Sequence, residues 1–289
     1  MKQLIKRHLR LFFRDKATVF FSMLAVLIAI MLYILFLADI LVGAIEDTVV
    51  GATANQVRTV MSGIILGGTV AVGTVTSSLS GIGRLIIDKE DLAKDFYSSP
   101  MKHSRIIISY VIASCIIAIT MSGFSLLLTV GYLILRGAAL PTAIQMIQLL
   151  LTLLLGVISA NSLMVLLVSR IKSRNALGSI GSIIGTLIGF LAGVYIPLGQ
   201  LPNTVNRLVH YFPTAHTASL FRQILTDNLL SGFSNYVGAD AITEIQTFFG
   251  ITLQLGTFET NFIISTFYLV GTSVVFYWIG IRGLKKSAH

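Results

Sequence analysis

Six stretches of this 289-residue sequence contain no Asp, Glu, Lys, Arg or His, and each is long enough to cross a lipid bilayer as a helix. A transmembrane helix needs about 20 predominantly apolar residues to cover a hydrocarbon core of roughly 30 Å. The sequence therefore predicts an all-α polytopic membrane protein in which residues 1–289 form a single transmembrane domain. The six predicted transmembrane helices cover residues 17–38, 59–83, 106–135, 143–169, 176–196 and 261–281.

The composition excludes several other classes of protein. Only 11% of the residues are charged, whereas soluble domains carry about 25%, which excludes a conventional cytosolic enzyme. The single cysteine, Cys115, cannot form an intrachain disulfide or a cysteine-based zinc site. His210 and His216 have no carboxylate nearby at ligand spacing, so we predict no metal site.

The charges between the predicted spans indicate the orientation. Six spans put both chain ends on one side, and the segments on that side hold 17 of the 21 Lys and Arg residues. Cytoplasmic segments of membrane proteins are enriched in Lys and Arg. We therefore expect both termini in the cytoplasm. The net charge of +9 then reflects orientation, and we predict no nucleic-acid partner.

The first 16 residues have the pattern of an amphipathic helix. At 100° per residue, Lys2, Lys6 and Arg10 fall on one arc, while Leu9 and Phe12 fall on the other. This pattern predicts a cytoplasmic interfacial helix on the inner leaflet. It serves either as a simple anchor for the topology or as a lever attached to the first span.

The inner loop at residues 84–105 is the most informative soluble segment. Residues 88–97 are predicted to form a short charged helix with acids in its first turn, and Pro100 ends it. Phe96 and Tyr97 are unusual in a mere connector and suit a knob that docks into a partner protein. The alternative is a solvated turn whose aromatic rings touch the membrane surface.

Small residues mark the second and fifth spans. The fifth span has four glycines at a strict spacing of four, and the second has glycines followed by a Thr- and Ser-rich half. Such faces either form a tight helix-packing seam or line a weakly polar translocation path. The residues concerned are Gly63, Gly67, Thr69, Thr74, Thr76, Ser77, Gly181, Gly185, Gly189 and Gly193.

The segment at residues 197–260 is the largest predicted extracellular piece. Pro197, Pro202 and Pro213 divide its first part, and Pro202 is well placed to open a helix. We expect two short helices that form a re-entrant hairpin toward the bilayer edge. Irregular backbone at membrane depth must pack on protein, so this hairpin should contact the spans.

The chain lacks the signatures of an energy source of its own. The spans carry no charged residue, which disfavours ion-coupled transport. The sequence has no phosphate-binding G-x-x-x-x-G-K-[ST] loop and no H-E-x-x-H pair, so we predict no catalytic site and no bound cofactor. Either a separate ATPase drives the protein, or it is a passive channel.

Taken together, the amphipathic start, six spans, the loop DKEDLAKDFYSSPMKHSR and the hairpin IPLGQLPNTVNRLVHYFP resemble one family. The chain resembles the membrane permease subunit of ABC transporters of the type-2 exporter class, which share the ABCG-like type V exporter fold. The resemblance implies that the inner loop is the coupling helix gripped by an ATPase subunit. The implied coupling residues are Asp88, Glu90, Asp91, Lys94, Asp95, Phe96, Tyr97 and Pro100.

The resemblance also implies the partners and the location. We expect two copies of an ATP-binding ABC subunit, which would hold ATP and Mg, and a second permease subunit, identical or paralogous. The second and fifth spans would line a path for a hydrophobic or amphipathic cargo (a drug, lipid or peptide) moved outward across the plasma (cytoplasmic) membrane of a bacterium. Membrane lipid is a further expected partner.

Two alternatives remain open at the level of sequence. A passive channel or secondary carrier would transport solute in liposomes without ATP. A peptide-sensing resistance subunit would bind its ligand without flux. The sequence assigns no role to the extracellular extension at residues 231–260.

Overall fold

A computed structural model of the protein describes residues 1–40, 43, 54–91, 102–233, 238–256 and 258–286. These residues are almost entirely helical, which confirms the predicted all-α class. The helices are α1 (Lys2–Arg14), α2 (Lys16–Leu32), α3 (Ala54–Asp91), α4 (His103–Leu135), α5 (Ala143–Val168), α6 (Arg174–Leu191), α7 (Asn203–His210), α8 (Pro213–Phe233), α9 (Ala239–Phe248) and α10 (Phe262–Lys286).

Three smaller elements complete the described structure. A π-helical turn at Tyr33–Leu37 extends α2 without a break, so that the helical segment reaches Ile40. A 3₁₀ turn at Leu198–Gln200 follows α6. The strands β1 (Gln254–Leu255) and β2 (Phe258–Glu259) pair antiparallel in a short hairpin that precedes α10.

Six of the helical segments are long and apolar enough to cross a membrane, which confirms the predicted number of spans. Several helix boundaries differ from those predicted, and two of the differences lie in the second and fifth spans. The second span does not end at residue 83, because α3 continues to Asp91. The fifth span ends early at Leu191, since Gly193 adopts a left-handed conformation with φ of +60° that ends the helix.

Helix α3 is the core of the subunit. Its apolar segment is almost wholly buried, and it packs against α2, α4, α5, α6 and α8. Small residues permit this close packing: a methyl group added at Gly81 would lie 2.8 Å from the Cα atom of Ser114 in α4. The surrounding helices turn large apolar side chains such as Leu127, Phe267 and Trp278 outward, as lipid-facing helices do.

The segment between α6 and α10 enters the bundle more deeply than predicted. Helix α7 begins directly after Pro202, and α8 begins at Pro213. The expectation of two short helices is wrong for α8, which is 21 residues long and packs on α3, α5 and α10. Thr226 and Arg222 of α8 pack against the glycines of α3, so α8 is buried even though its sequence is partly polar.

Candidate functional site

The predicted glycines of the second span lie against α8. A methyl group added at Gly63 would be 3.0 Å from Thr226 Cγ2, and one added at Gly67 would be 3.2 Å from the backbone nitrogen of Arg222. These separations are shorter than ordinary van der Waals contact, so a larger side chain at either position would force its neighbour to move. Of the two alternatives for the second span, the structure favours the helix-packing seam at these positions.

The hydroxyl residues of α3 also lie in packed surroundings. Thr69, Thr74 and Ser77 are buried, and Thr76 is half-buried. Each threonine donates its hydroxyl to a backbone carbonyl three or four residues earlier: Thr69 to Leu66, Thr74 to Ala71 and Thr76 to Val72. Because α3 is enclosed by its own chain, it does not present an outward-facing surface to a path between subunits.

The four regularly spaced glycines of the fifth span occupy four different environments. Gly181 contacts Leu79 at 3.8 Å, and Gly185 has no non-local atom within contact distance. Gly189 lies against the ring of Tyr195, and Gly193 forms the turn after α6. The spacing of four therefore does not produce one continuous packing ridge.

A stripe of polar residues runs along the exposed side of α6. This outer stripe consists of Asn175, Ser179, Ser182 and Thr186, whose spacings of three and four place them on one helix face. All four are exposed. The three hydroxyls donate to backbone carbonyls four residues earlier. A polar face on a helix of membrane-spanning length suits contact with water or with another protein surface better than contact with acyl chains.

Arg222 in α8 is the largest completely buried side chain. Its guanidinium donates to four backbone carbonyls: to Ile64 at 2.9 Å, to Ala192 at 2.5 Å, to Gly193 at 2.9 Å and to Gly250 at 3.4 Å. No carboxylate pairs with it among the described residues. The arginine thus joins α3, α8, the end of α6 and the end of α9 at one point.

The C-terminal end of α3 carries a buried carboxylate. Asp88 is only 5% exposed and accepts a hydrogen bond from Tyr110 in α4 at 2.6 Å. Its oxygens lie 3.5 Å from Arg84 Nε and 3.9 Å from Arg7 Nη1 in α1. The carboxylate of Asp88 is thus engaged within the subunit, and its role as a coupling contact stays a prediction.

The remaining predicted coupling residues can be placed only in part. Glu90 and Asp91 belong to the last turn of α3 and not, as predicted, to the first turn of a separate helix. Lys94, Asp95, Phe96, Tyr97 and Pro100 lie outside the described residues. The described chain leaves α3 at Asp91 and resumes at Lys102, directly before α4.

Helix α1 is anchored to α4 beside this carboxylate. The His8 ring stacks on Tyr110 at a centroid distance of 3.8 Å, and His8 Nε2 lies 3.2 Å from Ser109 Oγ. Burial, assisted by the charge of Arg7, lowers the pKa of His8 to about 4. The imidazole is therefore neutral at physiological pH, as its apolar and aromatic neighbours require.

Comparison with protein families identifies the chain. The sequence model of a family described as "ABC-2 family transporter protein" matches residues 51–282, which include five of the six apolar helices. The chain belongs to the ABC-2 transporter family. It is thus a multi-pass membrane protein and a permease component of an ABC transporter, and the resemblance seen in its residues is confirmed. Comparison with curated proteins finds no match.

Membership of the ABC-2 family implies an ABC ATPase as partner and a membrane component without an ATPase site of its own. In the described ranges of this ABC-2 permease, no group of three or more His, Cys, Asp or Glu residues could hold a metal ion.

Sequence reasoning missed two features of the ABC-2 permease. The outer stripe of α6 is visible in the sequence as polar residues recurring every three or four positions between Asn175 and Thr186, a signal that the regular glycines obscured. Arg222 looked like one of four basic residues on the extracellular side. Nothing local could have revealed its burial, because all its partners are backbone carbonyls distant in sequence.

Proposed function

We propose that this chain is the membrane-spanning permease subunit of an ATP-driven exporter in the plasma membrane of a bacterium. Two ATPase subunits would hold ATP and Mg, and the permease would pair with a second permease, identical or paralogous. Their movements would carry a hydrophobic or amphipathic cargo outward. The excess of Lys and Arg on the side of the termini supports this orientation.

The outer stripe of α6 is the observation that carries this proposal. The stripe is exposed although α6 is long and apolar enough to span a membrane. A second permease whose α6 faces the first would cover both stripes and enclose a weakly polar path between them. Such a path lacks charged side chains, which fits a cargo with little charge. We therefore propose that the fifth span alone lines the translocation path, and no longer the second and fifth spans together.

Cysteine accessibility tests this role of α6. In a Cys115→Ser background, Ser182→Cys and Thr186→Cys should react with a membrane-impermeant thiol reagent, and their reactivity should change when ATP binds to the complex. The matched control is Leu127→Cys, because Leu127 is among the most exposed apolar side chains of α4 and should face lipid. If the two α6 positions remain as unreactive as Leu127→Cys in every nucleotide state, the stripe does not line an aqueous path.

A further inference from the structure

Helix α7 and the β-hairpin enclose a polar cavity that the transport proposal does not use. Its volume is about 530 Å³. The polar face of α7 and one edge of the hairpin provide the lining through Asn203, Asn206, Arg207, His210, Gln254 and Gly256. At 100° per residue, the four α7 residues fall within one arc of the helix, so the whole polar side of α7 is turned toward this cavity.

Two buried polar atoms at the cavity have no partner among the described residues. His210 is only 5% exposed, and its Nδ1 atom lies 3.1 Å from the carbonyl oxygen and 3.2 Å from the backbone nitrogen of Gln254. Whichever ring nitrogen carries the hydrogen, Nε2 has no partner within the described structure, and it is a donor in the tautomer whose Nδ1 accepts from Gln254. The side-chain oxygen of Asn206 is likewise unpaired there. Buried groups of this kind normally bind water, an ion or a ligand.

The charge of the cavity is positive. Arg207 is exposed and forms no ion pair within the described ranges, and no acidic residue belongs to the lining. Glu259 faces Gln254 across the hairpin but lies outside the lining. A guanidinium beside imidazole and amide donors suits an oxyanion, and a phosphate group most of all. The side-chain amides can turn either their oxygen or their nitrogen toward such a ligand.

The opposite side of α7 places the cavity at the membrane surface. Val205 and Leu208, on the face away from the cavity, are 44% and 63% exposed. The Tyr268 hydroxyl donates to the carbonyl of Tyr211 at 2.5 Å. Because α10 begins at Phe262, the end of α7 is level with the first two turns of a membrane-spanning helix. An amphipathic helix at this depth lies in the interface, with its apolar side toward the acyl chains and its polar side toward the headgroups.

We propose that this cavity binds the phosphate headgroup of an anionic phospholipid, such as phosphatidylglycerol, from the leaflet in which α7 lies. Arg207 would pair with the phosphate, while His210 Nε2 and the two asparagine amides would hydrogen-bond to the phosphate or glycerol oxygens. An anionic headgroup is favoured over a zwitterionic one because the lining offers no carboxylate to an ammonium group. The proposal requires only that the six apolar helices span a bilayer.

Calorimetric titration of the purified full-length chain in neutral detergent tests this site. Dioctanoyl phosphatidylglycerol should bind saturably, and Arg207→Gln should weaken this binding about tenfold, as loss of one charge-assisted hydrogen bond predicts. Arg136→Gln is the matched control, since it removes an equal charge from the same side of the protein while Arg136 stacks on Tyr132, away from the cavity. This control should bind the lipid like the unchanged protein.

Three outcomes would overturn the proposal. They are no saturable binding, equal weakening by Arg207→Gln and Arg136→Gln, and equal binding of dioctanoyl phosphatidylcholine. Inorganic phosphate is titrated separately, and if it binds as tightly as the lipid, the ligand is free phosphate and not a lipid headgroup. The ATPase is absent from all these titrations, so their result does not depend on whether the chain functions as an exporter.

Discussion

At the scale of single residues, Arg222 shows how a charge can be buried without a counter-ion. The carbonyl groups at the C-terminal end of a helix carry partial negative charge. Two of the carbonyls that Arg222 contacts, those of Ala192 and Gly193, follow the end of α6, and a third, that of Gly250, follows α9. The planar guanidinium can reach all of these because its five N–H groups point in fixed, divergent directions.

Replacement of Arg222 should therefore destabilise the subunit strongly. Arg222→Met leaves several buried carbonyls unpaired, and we expect a loss of about 3 kcal/mol in the free energy of unfolding, measured by denaturant titration in detergent. Arg222→Lys should recover only part of this loss, because an ammonium cannot bridge all the segments. Arg170→Met, at an exposed position in the turn that follows α5, is the control. A variant with Met at position 222 that is as stable as this control would contradict the assigned role.

His8 is the residue whose protonation should matter near neutral pH. Its pKa is lowered from 6.5 to about 4, first by burial and then by Arg7, while Asp88 raises it and Arg84 lowers it slightly. The unfolded chain therefore binds more protons than the folded one between these two values, and stability falls as the pH falls through this window. Asp15, whose pKa is lowered by hydrogen bonds from Thr18, loses its contribution only at still lower pH.

The pH dependence should become weaker when His8 no longer titrates, and His210 and His216, whose pKa values burial also lowers, account for the remainder. In His8→Phe the ring can still stack on Tyr110 but cannot be protonated. Between pH 7 and about pH 5, the unfolding temperature of the unchanged protein should fall further than that of the variant. Parallel falls in the two proteins would show that other groups are responsible for the acid sensitivity.

At the scale of elements, α3 and α8 depend on close approach of their neighbours. Gly81 of α3 meets the backbone of Ser114, whose side chain accepts a hydrogen bond from Asn161 at 2.6 Å. Asn161 in turn accepts a hydrogen bond from Tyr277 of α10 at 3.0 Å. Backbone atoms cannot move aside as a flexible side chain can. The spacing between α3 and α4 therefore determines whether the hydrogen bonds from Asn161 to Ser114 and from Tyr277 to Asn161 can form.

Gly81→Ala should consequently separate α3 from α4. We expect a loss of about 2 kcal/mol in unfolding free energy, typical of overpacking in a well-packed core. Gly131→Ala in α4 is the matched control, because a methyl group there meets no non-local atom, and replacing a helical glycine by alanine is intrinsically favourable by up to about 1 kcal/mol. Denaturant titration of both variants checks the prediction, and equal effects would mean that the contact at Gly81 is not limiting.

The two elements also show what the sequence can and cannot predict. The six spans follow from length and apolarity alone, since no other structure satisfies the backbone of such segments in lipid. The depth of α8 does not follow, because His216, Arg222, Gln223 and Asp227 make its sequence resemble a surface helix. Likewise, the small residues of α3 and α6 look alike in sequence, yet α3 is enclosed and α6 is exposed, which depends on the order of packing.

At the scale of the whole molecule, the subunit combines a buried core helix, α3, with two surfaces that we propose contact other subunits. These are the outer stripe of α6 and the region around Asp88. The outer stripe of α6 is the surface at which we propose that a second permease docks. Near the C-terminal end of α3, the helices α1, α3 and α4 meet around Asp88. The other predicted coupling residues follow directly in sequence. Force applied to these residues would reach three helices together, because Asp88 contacts side chains from all of them.

The permease should be inactive without an ATPase. In liposomes that contain only this chain, we expect no flux of an amphipathic dye. With the cognate ATPase subunit and ATP, dye should be transported, and the double variant Phe96→Ala/Tyr97→Ala should lose both transport and co-purification of the ATPase. Rapid flux through the lone chain would favour a channel, whereas binding of a peptide without flux in the full complex would favour a sensor.

Under the proposed function, the enclosure of α3 by its own chain separates the residues that hold the subunit together from those that would meet the cargo. Substitutions along the outer stripe of α6 should leave the packing around α3 unchanged. Cargo preference could therefore evolve, or be redesigned, with little effect on folding. Substitutions in α3 would instead disturb folding without changing the surface that is proposed to meet the cargo. Libraries intended to alter export should therefore be confined to the outer stripe.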